Sequence, residues 1–156
     1  MNLQDVRDQS INQLQELLSI NIDSQKGFQE AADSTSDTQL KSLFAEFSQK
    51  RAHNAAELRS YITSAGELPT TSGSVFATVH RWWLDARIAL TGKDPKSILD
   101  EAERGEDSIK KVYEDALGYL NVASIRELVE RQYRNVREDH DRVKSLRDSY
   151  HRNPRG

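Results

Sequence analysis

The chain has 156 residues, of which 36% are hydrophobic and 30% are charged, and its formal net charge is −3 at pH 7. This length suits one domain with a continuous core, and the absence of cysteine excludes disulfides, thiolate metal sites and cysteine nucleophiles. Charges of both signs are interspersed, which argues against a nucleic-acid partner, and we expect neither a secretory signal nor a membrane span. The composition therefore predicts a cytoplasmic protein with one domain over 1–150 and a short flexible tail at 151–156.

Two long amphipathic helices are predicted in the first half of the chain, because apolar residues recur there at helical spacing. The first runs from about Leu3 to Asp33 and the second from about Thr38 to Ala65. The polar segment 34–37 supplies a helix stop and an N-cap, and Gly66 suits the position just after a helix end. So short a connection makes the two helices an antiparallel hairpin.

A shorter amphipathic helix is predicted at about 74–90. It carries Phe76, Trp82 and Trp83, and the adjacent tryptophans point in different directions from the helix. An exposed aromatic side chain would suit contact with a partner or a second copy, so these three residues are candidate contacts for a homo-oligomer. The alternative is that both tryptophans fold under the loops. The helix lacks a basic face, which argues against binding to a membrane surface.

A second hairpin is predicted from two further helices, over about Pro95–Tyr119 and Val122–Tyr150. Asp94 caps the first of them, and Pro95 occupies its first turn, where proline is favoured. The long connection between the hairpins favours an up-down-down-up bundle over an up-down-up-down one. The predicted fold is therefore all-α: a ferritin-like four-helix bundle with an additional crossover helix.

Polar residues interrupt the apolar stripe near the middle of each helix, where Leu or Val would be expected. Because they fall at similar depth along their helices, we expect them to form one polar layer across the bundle. The candidates are Asn21, Gln25, Arg51, Asn54, Glu106, Gln132 and Asp139, with His140 beside them.

Three segments resemble a known family: GSVFATVHRWWLDARIALTGKD at 73–94, EAERGED at 101–107 and HDRVKSLRD at 140–148. Together they are similar to a bacterial ferritin-like family that is known only as a domain of unknown function, and the resemblance runs from the first helix to about residue 150. It implies a four-helix ferritin-like fold and no known reaction. The wider superfamily often binds two irons through Glu residues and Glu-x-x-His motifs.

The chain carries altered versions of that metal motif. Lys50-x-x-His53 and Arg137-x-x-His140 each follow an acid by the same interval, since Glu16 precedes Lys50 by 34 residues and Glu103 precedes Arg137 by 34. A cation in place of each ligand carboxylate would repel a metal. This pattern is that of a relic motif, although the equal spacing is also compatible with chance.

Two interpretations of the polar layer follow. In the first, Arg51 pairs with Glu106 and Asp139, and the layer neutralises itself. In the second, a degenerate metal site for iron, manganese or zinc is built from Glu103, Glu106, Asp139 and His140.

The first interpretation is favoured, since Arg51 already supplies the countercharge that a metal would provide. No catalytic residue, cofactor or small-molecule substrate is identified. The sequence thus predicts a non-enzymatic helical protein that acts through protein contacts or assembly, with a metal-binding protein that stores or oxidises iron as the alternative.

Overall fold

The computed structural model describes residues 3–70 and 95–152. Within them the chain forms four helices, all close to the predicted bounds. They are α1 (Leu3–Ser34), α2 (Thr38–Ser64), α3 (Pro95–Leu117) and α4 (Ala123–Arg152). The helix predicted at about 74–90, with Phe76, Trp82 and Trp83, lies outside the described residues.

The two ends of α2 are fixed by local hydrogen bonds that the sequence anticipates. Asp37 is the N-cap, and its side chain accepts from the backbone N–H groups of Gln39 and Leu40. At the other end Gly66 has a φ of +87°, which an L side chain would disfavour. The N–H of Gly66 donates to the carbonyl of Thr63, and that of Glu67 to the carbonyl of Ile62. These two bonds form a Schellman motif, which ends the helix.

The helix directions follow from contacts along the full length of α2 and α4. The start of α2 contacts the end of α4, and the end of α2 contacts the start of α4, so these two helices are antiparallel. Because α1–α2 and α3–α4 are joined by short turns, α2 and α3 run in the same direction, and the bundle is up-down-down-up. The contacts along α2 and α4 are Asp37–Tyr150, Glu46–Arg142, Glu57–Arg131 and Tyr61–Ser124.

The apolar stripes meet in one continuous core along the bundle axis. Leu14 and Leu18 of α1, Leu58 of α2 and Ile109 of α3 are fully buried. In the half of the bundle near the α1–α2 turn, three phenylalanines pack together: the ring of Phe28 stacks on Phe44 and meets Phe47 edge-on. The prediction of an all-α four-helix bundle is confirmed. No described helix has the length and apolar character that a membrane crossing requires.

Candidate functional site

An ionic layer lies at the centre of the bundle, formed by Arg51, Glu106, Asp139 and Lys50. Nη2 of Arg51 donates to both oxygens of Glu106, at 2.9 and 2.7 Å, and Nη1 donates to Oδ2 of Asp139 at 3.1 Å. Lys50 reaches the same layer from the bundle surface, with Nζ 2.8 Å from Oδ1 of Asp139. Two cations therefore meet two carboxylates, and the layer is neutral overall.

Burial sets the electrostatics of this layer, because the side chains of Arg51, Glu106 and Asp139 have no exposed surface. Burial alone would lower the pKa of Arg51, but Glu106 and Asp139 outweigh it and raise that pKa. Burial also raises the pKa of Glu106, against the opposite effect of Arg51. The centre of the Phe28 ring lies 5.8 Å from the Arg51 guanidinium, so an aromatic side chain packs beside this buried charge. Arg51 is thus a permanent positive charge inside the core.

A second polar level lies beside the ionic layer and takes one residue from each helix: Asn21, Asn54, Tyr113 and Gln132, which we call the polar ring. The hydroxyl of Tyr113 accepts from Nδ2 of Asn21 and donates to Oε1 of Gln132, both at 2.8 Å. Nε2 of Gln132 donates to the carbonyl of Asn54 at 3.2 Å, and Nδ2 of Asn54 donates to Oδ1 of Asn21 at 3.3 Å. The four residues close a circuit of hydrogen bonds through the core.

Tyr113 is the member of the ring that is not among the predicted polar residues, because it lies at helical spacing on the apolar stripe of α3, seven residues after Glu106. Burial of its hydroxyl raises the pKa of Tyr113 to about 12. From the ring, Gln132 also donates to Oε1 of Glu57 at 3.2 Å. Burial opposes ionisation of Glu57, but the hydrogen bonds from Arg131 and Gln132 outweigh it and lower the pKa of Glu57.

The single predicted layer is therefore divided in the structure. Gln25 is half-buried, and its backbone carbonyl accepts from the Ser48 hydroxyl at 2.9 Å. His140 is buried but lies at the edge of the bundle, where Nε2 is 2.6 Å from Asp107 and Nδ1 is 3.3 Å from Asp141. Neither of these two side chains is hydrogen-bonded to the ionic layer or to the polar ring within the described residues.

The four predicted metal ligands are likewise not brought together. Glu106 and Asp139 are bound to Arg51, whereas the carboxylate of Glu103 forms an ion pair with Arg147. The structure instead places Glu103 and His140 with Asp107, and one potential ligand atom from each of the three lies within 4.8 Å of the others. Asp107 and Arg147 were absent from the sequence prediction. Helical spacing offers the signal, because Asp107 is four residues after Glu103 and Arg147 is seven after His140.

The two altered metal motifs have different surroundings. Lys50 belongs to the ionic layer, whereas the side chain of His53 is 73% exposed and lies 3.8 Å from Glu57. Glu16 is half-buried, on α1. Arg137 is exposed, with its guanidinium 5.7 Å from the centre of the Tyr133 ring. The equal sequence spacing thus does not produce two equivalent sites.

Comparison with known families gives one match. The model of a family described as "Domain of unknown function (DUF2383)" matches residues 9–119. The chain belongs to this family. The matched segment of the DUF2383 protein spans most of α1 and all of α2 and α3, and so includes Arg51, Glu106 and Tyr113. Gln132, Asp139 and His140 of α4 lie beyond it. No match was found among the curated proteins.

Proposed function

We propose that this DUF2383 protein is a non-enzymatic, cytoplasmic helical module that acts through protein contacts or assembly. In this proposal the bundle is a ferritin-like fold in which an ionic layer stands where a metal centre would lie. The up-down-down-up order of the four helices supports the relation to ferritin-like bundles. The absence of cysteine from the sequence fits a reducing compartment.

The observation that carries the proposal is the position of Arg51. Its guanidinium is fully buried at the bundle axis and donates three hydrogen bonds to the carboxylates of Glu106 and Asp139. A metal ion at this position would need both carboxylates and would meet a fixed positive charge. The Arg51 guanidinium thus supplies the positive charge that a bound metal ion would otherwise provide.

The surroundings of the layer support a structural role as well. Substrate cannot reach side chains with no exposed surface unless the bundle opens. A groove of about 1140 Å³ between α2 and α4 is lined by hydroxyl groups, including those of Ser42, Ser145 and Ser149, and by the Glu46–Arg142 ion pair. Its lining residues provide no imidazole to activate those hydroxyls.

An iron-oxidation assay tests the proposal against its enzymatic alternative. Anaerobic Fe(II) would be added to the full chain, followed by oxygen, with Fe(III) formation followed by absorbance. We expect no acceleration over buffer. Rapid oxidation that is lost in Glu106→Gln but kept in Asp107→Asn would overturn the proposal, because it would place iron at the axis.

Assembly is tested by light scattering over a wide range of protein concentration. The proposal expects a stable complex, either a homo-oligomer or a complex with a partner protein, and Trp83→Ser is expected to weaken it. Phe76→Ser and Trp82→Ser extend the test along the same segment. A protein that stays monomeric at every concentration and captures no partner from its own cell extract would contradict the proposal.

A further inference from the structure

A cluster at the edge of the bundle, next to the ionic layer but with its own ion pairs, carries three residue types that bind metals. Glu103 and Asp107 are four residues apart on one face of α3, and His140 faces them from α4. Nε2 of His140 lies 2.6 Å from Oδ1 of Asp107. We propose that Glu103, Asp107 and His140 bind one divalent transition-metal cation, for which Arg147 competes. We call these three residues the edge site.

The geometry of the edge site is close to that of a coordination sphere. Ligand atoms on one tetrahedral Zn²⁺ lie about 2.0–2.2 Å from the ion, and therefore about 3.3–3.6 Å from each other. The three candidate atoms are within 4.8 Å of one another, so side-chain shifts of about 1 Å bring them to that spacing. Two carboxylates with one imidazole suit zinc, manganese or iron better than magnesium or calcium.

The orientation of His140 is a second, independent observation. Its Nδ1 lies 3.3 Å from the carboxylate of Asp141, while Nε2 is directed at the edge site. Metal-binding histidines commonly donate their second N–H to a carboxylate, which fixes the ring and makes the other nitrogen a better ligand. A cation bound to Nε2 takes the place of the contact between Nε2 and Asp107, while Nδ1 keeps its carboxylate neighbour. The imidazole ring therefore needs no reorientation.

Charge and access both suit a cation. Arg147 contacts Asp100, Glu103 and Asp148, and His140 contacts Asp107 and Asp141. Five carboxylates thus surround one guanidinium and one imidazole, which leaves an excess of negative charge. Glu103 Oε2 is buried and ion-paired with Arg147. Asp107 is 58% exposed and gives a route from solvent.

Arg147 gives the edge site a property that an ordinary acidic patch lacks. Its guanidinium is ion-paired with the Glu103 carboxylate, so a bound cation has to displace it. Removing this competitor should strengthen binding, whereas a variant that only perturbed the fold would weaken it. The edge site is also independent of the proposed function, since neither Glu106 nor Asp139 takes part.

Isothermal titration of the tag-free full chain with Zn²⁺, and with Mg²⁺ for comparison, tests the proposal. We expect one equivalent of Zn²⁺ to bind, and binding to weaken by about tenfold or more in Asp107→Asn and in His140→Ala. Arg147→Gln should tighten binding, and Glu106→Gln should change it far less than Asp107→Asn does. His53→Ala is the matched control, because His53 also lies beside a carboxylate, that of Glu57, but on the exposed face of α2.

Circular dichroism of each variant separates loss of the edge site from loss of the fold. If His140→Ala unfolds, Asp107→Asn decides the outcome, because its side chain is largely exposed. The proposal is overturned if neither the wild type nor Arg147→Gln binds Zn²⁺. It is equally overturned if substitution of His53, His80 or His151 abolishes Zn²⁺ binding while substitution of His140 does not. Binding that requires Glu106 would place the metal at the axis and contradict the proposed function as well.

Discussion

One guanidinium nitrogen of Arg51, Nη2, donates to both carboxylate oxygens of Glu106, and both side chains are fully buried. The two residues belong to different hairpins, since Arg51 is on α2 and Glu106 is on α3. Their contact therefore fixes how the hairpins dock. A buried ion pair contributes little net stability over apolar packing, but removal of one partner leaves an uncompensated charge in the core.

Arg51→Leu should destabilise the protein by about 3–5 kcal/mol, because it leaves the carboxylates of Glu106 and Asp139 buried without the guanidinium. The double variant Arg51→Leu with Glu106→Leu should recover a large part of that loss, since Asp139 keeps its bond to Lys50. Urea denaturation of the two variants and the wild type measures both effects. Arg142→Ala is the control, because it removes an exposed ion pair and one contact with the Phe47 ring and should cost only about 1 kcal/mol. A double variant less stable than the single would contradict the paired-layer interpretation.

Tyr113→Phe should lower the free energy of unfolding at neutral pH by about 1–3 kcal/mol. The hydroxyl accepts from Asn21 and donates to Gln132, so its removal leaves Oε1 of Gln132 buried without this donor. Tyr133→Phe is the matched control, since that hydroxyl donates to Glu114 at an exposed position. Equal, small effects of the two changes would show that the polar ring adds no stability.

The same hydroxyl makes stability depend on alkaline pH. Burial raises the pKa of Tyr113 from 10.0 to about 12. Between these values the unfolded chain releases the proton while the folded chain keeps it, so the free energy of unfolding falls as the pH rises. The full loss attributable to Tyr113 is roughly 2–3 kcal/mol, about half of it reached by pH 11. Urea denaturation of wild type and Tyr113→Phe at about pH 9 and pH 11 should therefore show the gap between them narrowing. A constant gap would mean that Tyr113 ionises equally in both states.

Asp37→Ala should destabilise the bundle by about 1 kcal/mol through loss of the N-cap of α2. Asp37 accepts from two backbone N–H groups of α2 and from the Tyr150 hydroxyl of α4. Asp37→Asn retains a capping oxygen and should cost much less, whereas Tyr150→Phe isolates the contact between helices. Thermal unfolding followed by circular dichroism compares the three variants. If Asp37→Asn is as damaging as Asp37→Ala, charge rather than capping is the dominant effect.

Helix periodicity was sufficient to predict the four helices and their order, because long amphipathic stripes and short turns leave few arrangements open. It also placed Arg51 and Glu106 in the interior, where a buried arginine requires acidic partners. Helix periodicity could not decide whether residues at the margins of each apolar stripe are buried. A rotation of a few tens of degrees about a helix axis decides whether a side chain such as that of Gln25 or His140 enters the core.

The residues that the sequence did not indicate have a common physical reason. Tyrosine serves equally well as an apolar side chain and as a hydroxyl donor, so periodicity alone does not identify Tyr113 as a member of a polar ring. Asp107 and Arg147 share helical spacing with Glu103 and His140, but so do other charged residues on the same faces, and the contact between α3 and α4 is what singles these two out. Pairing between helices is a property of the packed bundle and not of any single stripe.

The polar ring draws two of its members, Asn21 and Asn54, from the first hairpin and the other two, Tyr113 and Gln132, from the second. Each hairpin thus contributes half of a circuit that only the other half completes. Two copies that exchanged hairpins through the connection at 65–94 would rebuild the same circuit without losing a hydrogen bond. The hydrogen bonds of the polar ring determine which helix faces pack together. They form equally well whether the two hairpins come from one chain or from two.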